Sequence, residues 1–287
     1  MNTTATKIGI IGTGWVGGTY ARLFESQGYN PICYSLDPKY IHNKDAIQDC
    51  DFVMIAVPTP TTHAGFDASN LKDVLKLVGK NKIAFIKSTI VPGTTDMLQK
   101  ENPDVLVIHS PEFLSMATAD QDAAYPKRNI IGLPVMNETY QNAAKLIEAI
   151  MPKAPYTTIC SAVDAEIIKY THNAGGYLRI VFHNILFDIC QKTGGNWDEV
   201  KNAIAADATN VLSYLNPVHD KGRGAGGPCF IKDFYAFTKF YETLGDRAGT
   251  AMLNAVETKN IQLLEQTGKD LNILYSVHPE LQKSMAA

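Results

Sequence analysis

The glycine spacing near the amino terminus constrains the fold more than any other feature. Gly12, Gly14 and Gly17 follow the apolar run KIGII and precede the helical pattern WVGGTYARLFESQ. A strand, a G-x-G-x-x-G turn and a helix in this order are typical of folds that bind the pyrophosphate of a dinucleotide. Gly12 allows the tight turn, Gly14 lets the backbone approach the phosphates, and Gly17 lets the helix pack on the strand. Trp15 and Val16, at the start of the helix, would supply partial positive charge to the bound phosphates.

A second cofactor contact is expected at the end of the next predicted strand, in PICYSLDPKY. An acid there would hold the ribose hydroxyls of NAD, but the residue at this position is Ser35. Asp37 lies two residues later and, by strand alternation, on the same face, from which it would reach the ribose. Alternatively, Ser35 and Lys39 would receive the 2'-phosphate of NADP. NAD is the favoured cofactor, and NADP stays open.

Short apolar runs alternate with helical patterns through the first 160 residues. The strand candidates are KIGIIG, PICYSL, DFVMIAV, KIAFIKS, DVLVIHS and NIIGLPV. Their alternation with helices predicts a parallel sheet wrapped by helices. From Ser161 onward helical periodicity replaces the strand runs, and Ser161 with Asp164 resembles an N-cap pair, as does Asn196 before WDEVKNAIAAD. Further helices are expected at Cys229–Leu244 and Arg247–Thr267.

The fold class predicted from these patterns is α/β, a Rossmann-like parallel-sheet domain followed by an all-helical domain. The expected limits are 1–160 for the dinucleotide-binding domain, 161–267 for the helical domain and 268–287 for a tail. Ligands of such folds bind at the carboxyl ends of the strands.

Composition argues against several classes of protein. The 26 Lys and Arg residues nearly balance 29 acidic residues, and a net charge of -3 creates no field that would gather nucleic acid or anionic lipid. No apolar run reaches the roughly 18 residues of a membrane span, and the apolar start is too brief for a signal segment. Five cysteines without a CxxC pair argue against a disulfide framework or a metal site. A reducing cytoplasm is the expected location.

One cysteine lies in a setting unlike the other four. Cys229 belongs to GAGGPCFIKD, after glycines and Pro228. Because proline favours a helix start, Cys229 is expected in the first helical turn, where unsatisfied N–H groups favour a thiolate nucleophile. Asp233 would lie one turn further on the same face, and Lys232 one position round. The alternative is a thiol buried under a tight glycine loop.

Five stretches in a fixed order carry a family resemblance. They are AVPTPTT (56–62), KSTIVPGTT (87–95), SPEFLSMA (110–117), EIIKYTHNA (166–174) and GGPCFIKD (226–233). Over residues 7–265 the chain resembles the UDP-glucose/GDP-mannose dehydrogenase family of nucleotide-sugar dehydrogenases. The resemblance implies an NAD-dependent four-electron oxidation of a sugar alcohol to a carboxylate, as in polysaccharide biosynthesis. It makes Cys229 the nucleophile that attacks the intermediate aldehyde and passes through a thiohemiacetal and a thioester.

The same resemblance gives roles to other residues. Lys169 and Asn173, spaced i, i+4, would hold the oxygen of the reacting centre, and Asp233 would hold the hydrolytic water. Thr89 and Glu112 would add polar contacts, with Glu112 a candidate for water activation or proton transfer. The residues expected beside the cofactor are Val57, Pro58, Thr59, Thr89 and Lys232. Taken singly, Lys169 and Asn173 also fit a solvated helix face, and Thr89 and Glu112 fit simple loop caps.

The sequence departs from the family at three places. Met116 stands where a second acid is usual, and the usual arginine before the glycine loop is replaced by Thr209 or Ser213, with Arg223 nearby. The family's third domain, which closes over the nucleotide, is represented here by only about twenty residues after the last long helix. The expectation is therefore a short form lacking the UDP-binding domain.

Two other functions remain open from the sequence. One is a two-electron dehydrogenase of the β-hydroxyacid type, which needs no thiolate, and the other is a non-catalytic NAD-binding remnant. The expected partners are a nucleotide sugar, with a UDP-sugar favoured, and a second copy of the chain in a homodimer. The helix Arg247–Thr267 would pack in that dimer or, equally well, form a core helix of a monomer.

Overall fold

The computed structural model describes residues 6–207 and 214–284. The chain forms two compact units, which we call the sheet unit (1–60 and 67–169) and the helical unit (61–66 and 170–287). Thr209 and Ser213, predicted to replace the family arginine, lie outside the described residues. The domain limits predicted from the sequence stay a prediction.

The strands of the described residues are β1 (Ile8–Ile11), β2 (Ile32–Tyr34), β3 (Phe52–Ile55), β4 (Thr61–Thr62), β5 (Gly65–Phe66), β6 (Ile83–Ile86), β7 (Leu106–His109), β8 (Arg128–Leu133), β9 (Tyr156–Ser161), β10 (Val218–His219) and β11 (Gly222–Arg223). The α-helices are α1 (Trp15–Ser26), α2 (Ser69–Leu75), α3 (Thr94–Glu101), α4 (Ala119–Ala124), α5 (Glu138–Ile150), α6 (Ala162–Thr193), α7 (Trp197–Ala206), α8 (Gly227–Glu242), α9 (Arg247–Thr267), α10 (Leu271–Val277) and α11 (Pro279–Ser284). A 3₁₀ helix spans Ile41–Asp49.

The sheet unit is built on seven strands in the order β2-β1-β3-β6-β7-β8-β9. All neighbouring pairs are parallel except β7 and β8, which meet antiparallel where His109 lies opposite Gly132. The prediction of a parallel sheet is therefore right apart from this pair. The short α4 is the α-helix between these two strands, and an antiparallel neighbour needs no full crossover helix.

The central strands form because their apolar runs are buried on both faces. All four residues of β1, β3 and β6 are buried, which is typical of parallel strands covered by helices. Phe24 of α1 packs edge-on against Phe52 at 6.4 Å between ring centroids, and Phe52 lies 5.2 Å from Phe85. This core fixes the strand ends from which the site loops leave.

The helical unit has a core of its own around α6, α8 and α9. Tyr177 stacks on Phe234 with ring centroids 3.8 Å apart. A second cluster joins Ile231 and Leu264 to Leu274 and Val277 of α10, all at most 5% exposed. The segment predicted as a tail is thus helical over α10 and α11 and packs into this unit.

Helix starts follow the capping signals of the sequence. The hydroxyl of Ser161 accepts the N–H of Asp164 at 3.1 Å, and the side chain of Asn196 accepts the N–H of Asp198 at 3.0 Å. These confirm the predicted starts of α6 and α7. Within the described residues, no helix is long and apolar enough to span a membrane.

Candidate functional site

The glycine turn after β1 has the geometry that a phosphate-binding loop requires. Gly12 has a φ of +89°, and a Cβ there would lie 2.3 Å from the carbonyl oxygen of Ala56. A Cβ on Gly17 would lie 1.8 Å from the oxygen of Gly12, whereas a Cβ on Gly14 meets nothing within 4 Å. Packing therefore requires the first and third glycines, and the open space at Gly14 suits the approach of a ligand. The helix begins at Trp15 without a side-chain cap, which leaves its first N–H groups to a bound anion.

A hydroxyl pair joins this turn to the end of β2. The hydroxyls of Thr13 and Ser35 lie 2.7 Å apart, and Ser35 also accepts the N–H of Asp37 at 3.3 Å. Because β2 ends at Tyr34, strand alternation does not extend to Asp37, and its contact with the ribose stays a prediction. The carboxylate of Asp37 instead accepts the N–H of Lys39 at 2.8 Å, within a turn. Thr13 lies inside the glycine motif and was not singled out from the sequence.

The loops after β3 and β6 are tied to each other by hydrogen bonds. The hydroxyl of Ser88 donates to the carbonyl of Val57 at 2.7 Å, and that of Thr59 donates to the carbonyl of Thr89 at 2.8 Å. The carbonyl of Pro58 accepts from an asparagine of α2 at 2.9 Å. These predicted cofactor contacts therefore come together at the carboxyl ends of two neighbouring strands, where ligands bind in this fold.

Glu112 and Lys169 meet in the sheet unit. One carboxylate oxygen of Glu112, Oε1, accepts the N–H groups of Phe113 and Leu114 at 2.6 and 3.0 Å. The ammonium of Lys169 donates to the main-chain oxygen of Glu112. The other carboxylate oxygen, Oε2, lies 3.6 Å from the ammonium of Lys87. The structure therefore brings two of the predicted residues together and adds a third, Lys87.

Lys87 is a buried cation that the sequence reasoning missed, although it opens the quoted stretch KSTIVPGTT. It is 6% exposed, donates to the hydroxyl of Ser110 at 3.2 Å and lies about 5 Å from the rings of Tyr20 and Phe85. Burial lowers the pKa of Lys87, and the charge of Glu112 opposes that effect. Burial and the charge of Lys87 also lower the pKa of His109 to about 3, so His109 is neutral. A lysine directly after a buried strand was the available signal.

In the helical unit, Cys229 lies where the sequence predicts it. The helix α8 begins at Gly227 with Pro228 in its first turn, so Cys229 is its third residue. Cys229 is exposed, whereas Cys33, Cys50 and Cys190 are buried. The alternative of a thiol buried under the glycine loop is therefore wrong.

Asp233 is the most buried of the predicted site residues of the helical unit. It is 2% exposed, and its two oxygens accept from the amide of Asn173 and the ammonium of Lys232, each at 2.6 Å. The structure thus brings together Asn173 and Asp233, two predicted site residues whose contact the sequence did not predict. Lys232, expected beside the cofactor, also contacts Asp233 through its ammonium, and its cofactor contact stays a prediction.

The glycine loop before Cys229 is held by residues at the end of α9 and beyond. The side chain of Asn260 accepts the N–H of Ala225 at 2.7 Å and donates to its carbonyl at 3.0 Å. Asp270 accepts the N–H of Gly227 at 2.8 Å, and Lys269 donates to the carbonyl of the glycine before Ala225 at 3.2 Å. Sequence reasoning missed this support because its residues lie 35 or more positions away from the loop.

Arg223, predicted from the sequence as the nearest replacement for an arginine of the family, is bound within its own unit. Its guanidinium donates to the side chain of Asn184 at 2.9 Å and to Asp188 at 2.6 Å. Lys259 reaches the same carboxylate at 3.1 Å. Met116, predicted to stand in the place of a second acid of the family, is 74% exposed.

A mostly parallel seven-stranded sheet with this glycine turn defines a dinucleotide-binding protein of the Rossmann type. Residues 40–151 match the NAD binding domain of the UDP-glucose/GDP-mannose dehydrogenase family, and residues 163–262 match the central domain of the same family. The chain belongs to this family, and the first match confirms NAD as the cofactor.

Known proteins resemble the chain in sequence and in fold. A UDP-glucose 6-dehydrogenase of Rickettsia conorii is 30% identical over 213 residues, which are 70% of this chain and 47% of that protein. The structure of a UDP-glucose dehydrogenase from Pyrobaculum islandicum gives a TM-score of 0.77 at 24% identity and covers 92% of this chain and 72% of that one. A 3-hydroxyisobutyrate dehydrogenase of Mycobacterium tuberculosis gives a TM-score of 0.70 at 15% identity and covers 96% of this chain and 98% of that one. The chain spans about half the length of the first curated relatives that it matches.

Proposed function

We propose that the chain is an NAD-dependent oxidoreductase that oxidises the primary alcohol of a nucleotide sugar, with a UDP-sugar favoured, to a carboxylate. The observation that carries the proposal is the exposed thiol of Cys229 in the first turn of α8, one turn before the buried carboxylate of Asp233. A thiol at a helix start is favoured as a thiolate, which is the nucleophilic form. The named relatives support the substrate class.

The glycine turn fits the cofactor because the open space at Gly14 and the uncapped start of α1 both suit a pyrophosphate. Bound NAD supplies a hydride acceptor, twice per sugar. The chain's own residues then handle protons and the covalent bond. The sulfur of Cys229 attacks the aldehyde carbon, and a thiohemiacetal forms and is oxidised to a thioester. Water breaks the carbon–sulfur bond, which releases the carboxylate and returns the thiol.

Four polar side chains stabilise charge on the oxygen atoms of this reaction or accept protons from them. The ammonium of Lys169 and the amide of Asn173 stabilise negative charge on the oxygen of the reacting carbon. An amide nitrogen carries two protons, so Asn173 holds Asp233 with one and has a second to donate. Glu112 and Asp233 accept protons from the hydrolytic water.

The first experiment incubates the protein with NAD and a panel of UDP- and GDP-sugars and follows reduced cofactor. We expect two NADH per sugar, loss of turnover on thiol blocking, and a trapped aldehyde-level or covalent intermediate with Cys229→Ser. Cys160→Ser, at a partly buried cysteine, is the matched control and should leave the stoichiometry at two. Unchanged stoichiometry without any intermediate in Cys229→Ser would rule out the covalent mechanism.

The proposal includes a homodimer in a reducing cytoplasm. The helix α6 exposes Phe182, Ile185 and Ile189, which are 39–58% exposed and follow helical spacing, so they offer an apolar face to a second copy. Sedimentation of the wild type and of Phe182→Ser would test this. A monomer in both cases contradicts the dimer and leaves the reaction untouched.

A second candidate is a two-electron dehydrogenase of the β-hydroxyacid type. It is favoured by the structural match to the 3-hydroxyisobutyrate dehydrogenase, which covers nearly the whole of both chains. One NADH per substrate and a rate independent of Cys229 would support it. Tight NAD binding without reduction on either class of substrate would support a non-catalytic protein.

A further inference from the structure

The buried polar cluster around Glu112 contains a charged group that the proposed reaction does not use. The ammonium of Lys87 lies 3.6 Å from Oε2 of Glu112, and the two side chains are 5% and 11% exposed. A charge buried this deeply costs several kcal/mol unless an opposite charge lies close to it. The opposite charges of Lys87 and Glu112 therefore offset each other's loss of solvation.

The two oxygens of the Glu112 carboxylate have different surroundings. Oε1 accepts two main-chain N–H groups, whereas Oε2 is buried and makes no hydrogen bond within the described residues. At 3.6 Å the ammonium of Lys87 acts on Oε2 mainly through its charge. Oε2 is thus the oxygen that can accept a proton.

The remaining titratable groups around the carboxylate do not replace Lys87. Burial and the charge of Glu112 raise the pKa of Tyr20 on α1 well above its usual value, so the phenol stays neutral. His109 of β7 is neutral as well, because burial and Lys87 lower its pKa to about 3. The ammonium of Lys169 on α6 donates to the main-chain oxygen of Glu112.

We propose that Lys87 is a positioning residue for Glu112, whose ammonium keeps the carboxylate ionised and Oε2 ready to accept a proton. This inference rests on the proposed function only where it concerns turnover. Without the cation, burial favours the protonated acid, which cannot accept a proton from water. As a positioning residue, Lys87 acts through Glu112.

The first test needs no turnover. Infrared spectra of protein with isotope-labelled glutamate, compared with Glu112→Gln, identify the carboxyl band of Glu112. We expect an ionised carboxylate at pH 7 in the wild type and in Lys87→Arg, and a protonated acid in Lys87→Met. The matched control is Lys82→Met, directly before β6, because Lys82 is paired with a different carboxylate, that of Asp51, at 2.6 Å. An ionised Glu112 in Lys87→Met would overturn the inference.

The second test is a double-mutant cycle on the activity. Lys87→Met should lower kcat about tenfold or more, leave KM nearly unchanged and move the acid limb of the pH profile to higher pH. In the Glu112→Gln background the same change should have no further effect. If the two losses multiply instead, Lys87 acts independently of Glu112 and the inference is wrong.

Two controls keep these results apart from other causes. NAD affinity and thermal melting report whether Lys87→Met folds. If this variant does not fold, Lys87→Gln, which keeps a donor for Ser110, takes its place. If the wild type oxidises no nucleotide sugar, the proposed function fails. The infrared result still decides the role of Lys87 in that case.

Discussion

Asn260 closes the backbone of the loop that precedes Cys229. Its amide makes two hydrogen bonds with the main chain of Ala225, at 2.7 and 3.0 Å, where Asn260 and Ala225 are 1% and 0% exposed. Asn260→Ala removes both partners at once. It leaves one buried N–H group and one buried carbonyl group of the loop unpaired.

The expected loss follows from these two contacts. A buried polar group left unpaired costs about 1–3 kcal/mol, so two such groups cost about 2–6 kcal/mol. The higher helix propensity of alanine offsets about 0.5 kcal/mol of this loss. The free energy of unfolding should therefore fall by about 2–5 kcal/mol. Asn254→Ala, at an exposed position of the same helix, has the same propensity gain and is the matched control.

Urea denaturation can isolate the helical unit. The chain has two tryptophans, and in a Trp15→Phe background Trp197, which is 8% exposed, reports on α7 of that unit. Asn260→Ala should unfold at lower urea with an unchanged m-value. If its free energy of unfolding lies within about 0.5 kcal/mol of that of Asn254→Ala, these contacts do not hold the loop and the reasoning fails.

Three further perturbations have expected outcomes. Gly17→Ala should fail to fold the turn, because its Cβ would lie 1.8 Å from a main-chain oxygen, whereas Gly14→Ala should melt like the wild type and bind NAD about tenfold more weakly by titration. Burial raises the pKa of Glu166 to about 7. The contribution of Glu166 to the free energy of unfolding is therefore present below about pH 4.5 and is lost as the pH rises through 7. Relative to Glu166→Gln, the wild type should lose about 3 kcal/mol of unfolding free energy over that range, and a constant difference would contradict this. Burial alone would lower the pKa of His278, but neighbouring carboxylates, led by Glu257, raise it. The stability advantage over His278→Gln should therefore be greatest below about pH 6.5 and shrink at higher pH in the same urea assay.

Local signals explain why much of the fold was predictable. All six predicted apolar runs are strands, and the starts of α6 and α7 carry the expected caps. The strand β9 was missed because YTTICS mixes polar and apolar residues and is exposed or only partly buried. The strands β4 and β5 have two residues each, and α10 has seven, so tertiary contacts decide their structure.

The sequence predicted which residues belong to the candidate site, but few of the contacts between them. Helical spacing placed Asp233 one turn after Cys229, and the structure agrees. The hydrogen bond of Asn173 to Asp233 and the ion pair of Lys87 with Glu112 join residues that are far apart in the sequence, so local spacing did not predict these contacts. The same holds for Asn260, which lies 35 positions from Ala225. Strand alternation does not set the direction of Asp37, because β2 ends at Tyr34, so its contact with the ribose stays a prediction.

The hairpin of β4 and β5 belongs to the helical unit although it lies in the first quarter of the chain. The hydroxyl of Thr61 donates to the carbonyl of Lys232 on α8 at 3.2 Å. The chain consequently passes between the units after residues 60, 66 and 169. If a single crossover within α6 replaced the amino-terminal part of this chain by that of a relative, α8 of this chain would have to pack against the hairpin of the relative. Exchange of the sheet unit between relatives therefore requires a discontinuous graft, in which residues 61–66 stay with the helices that they contact.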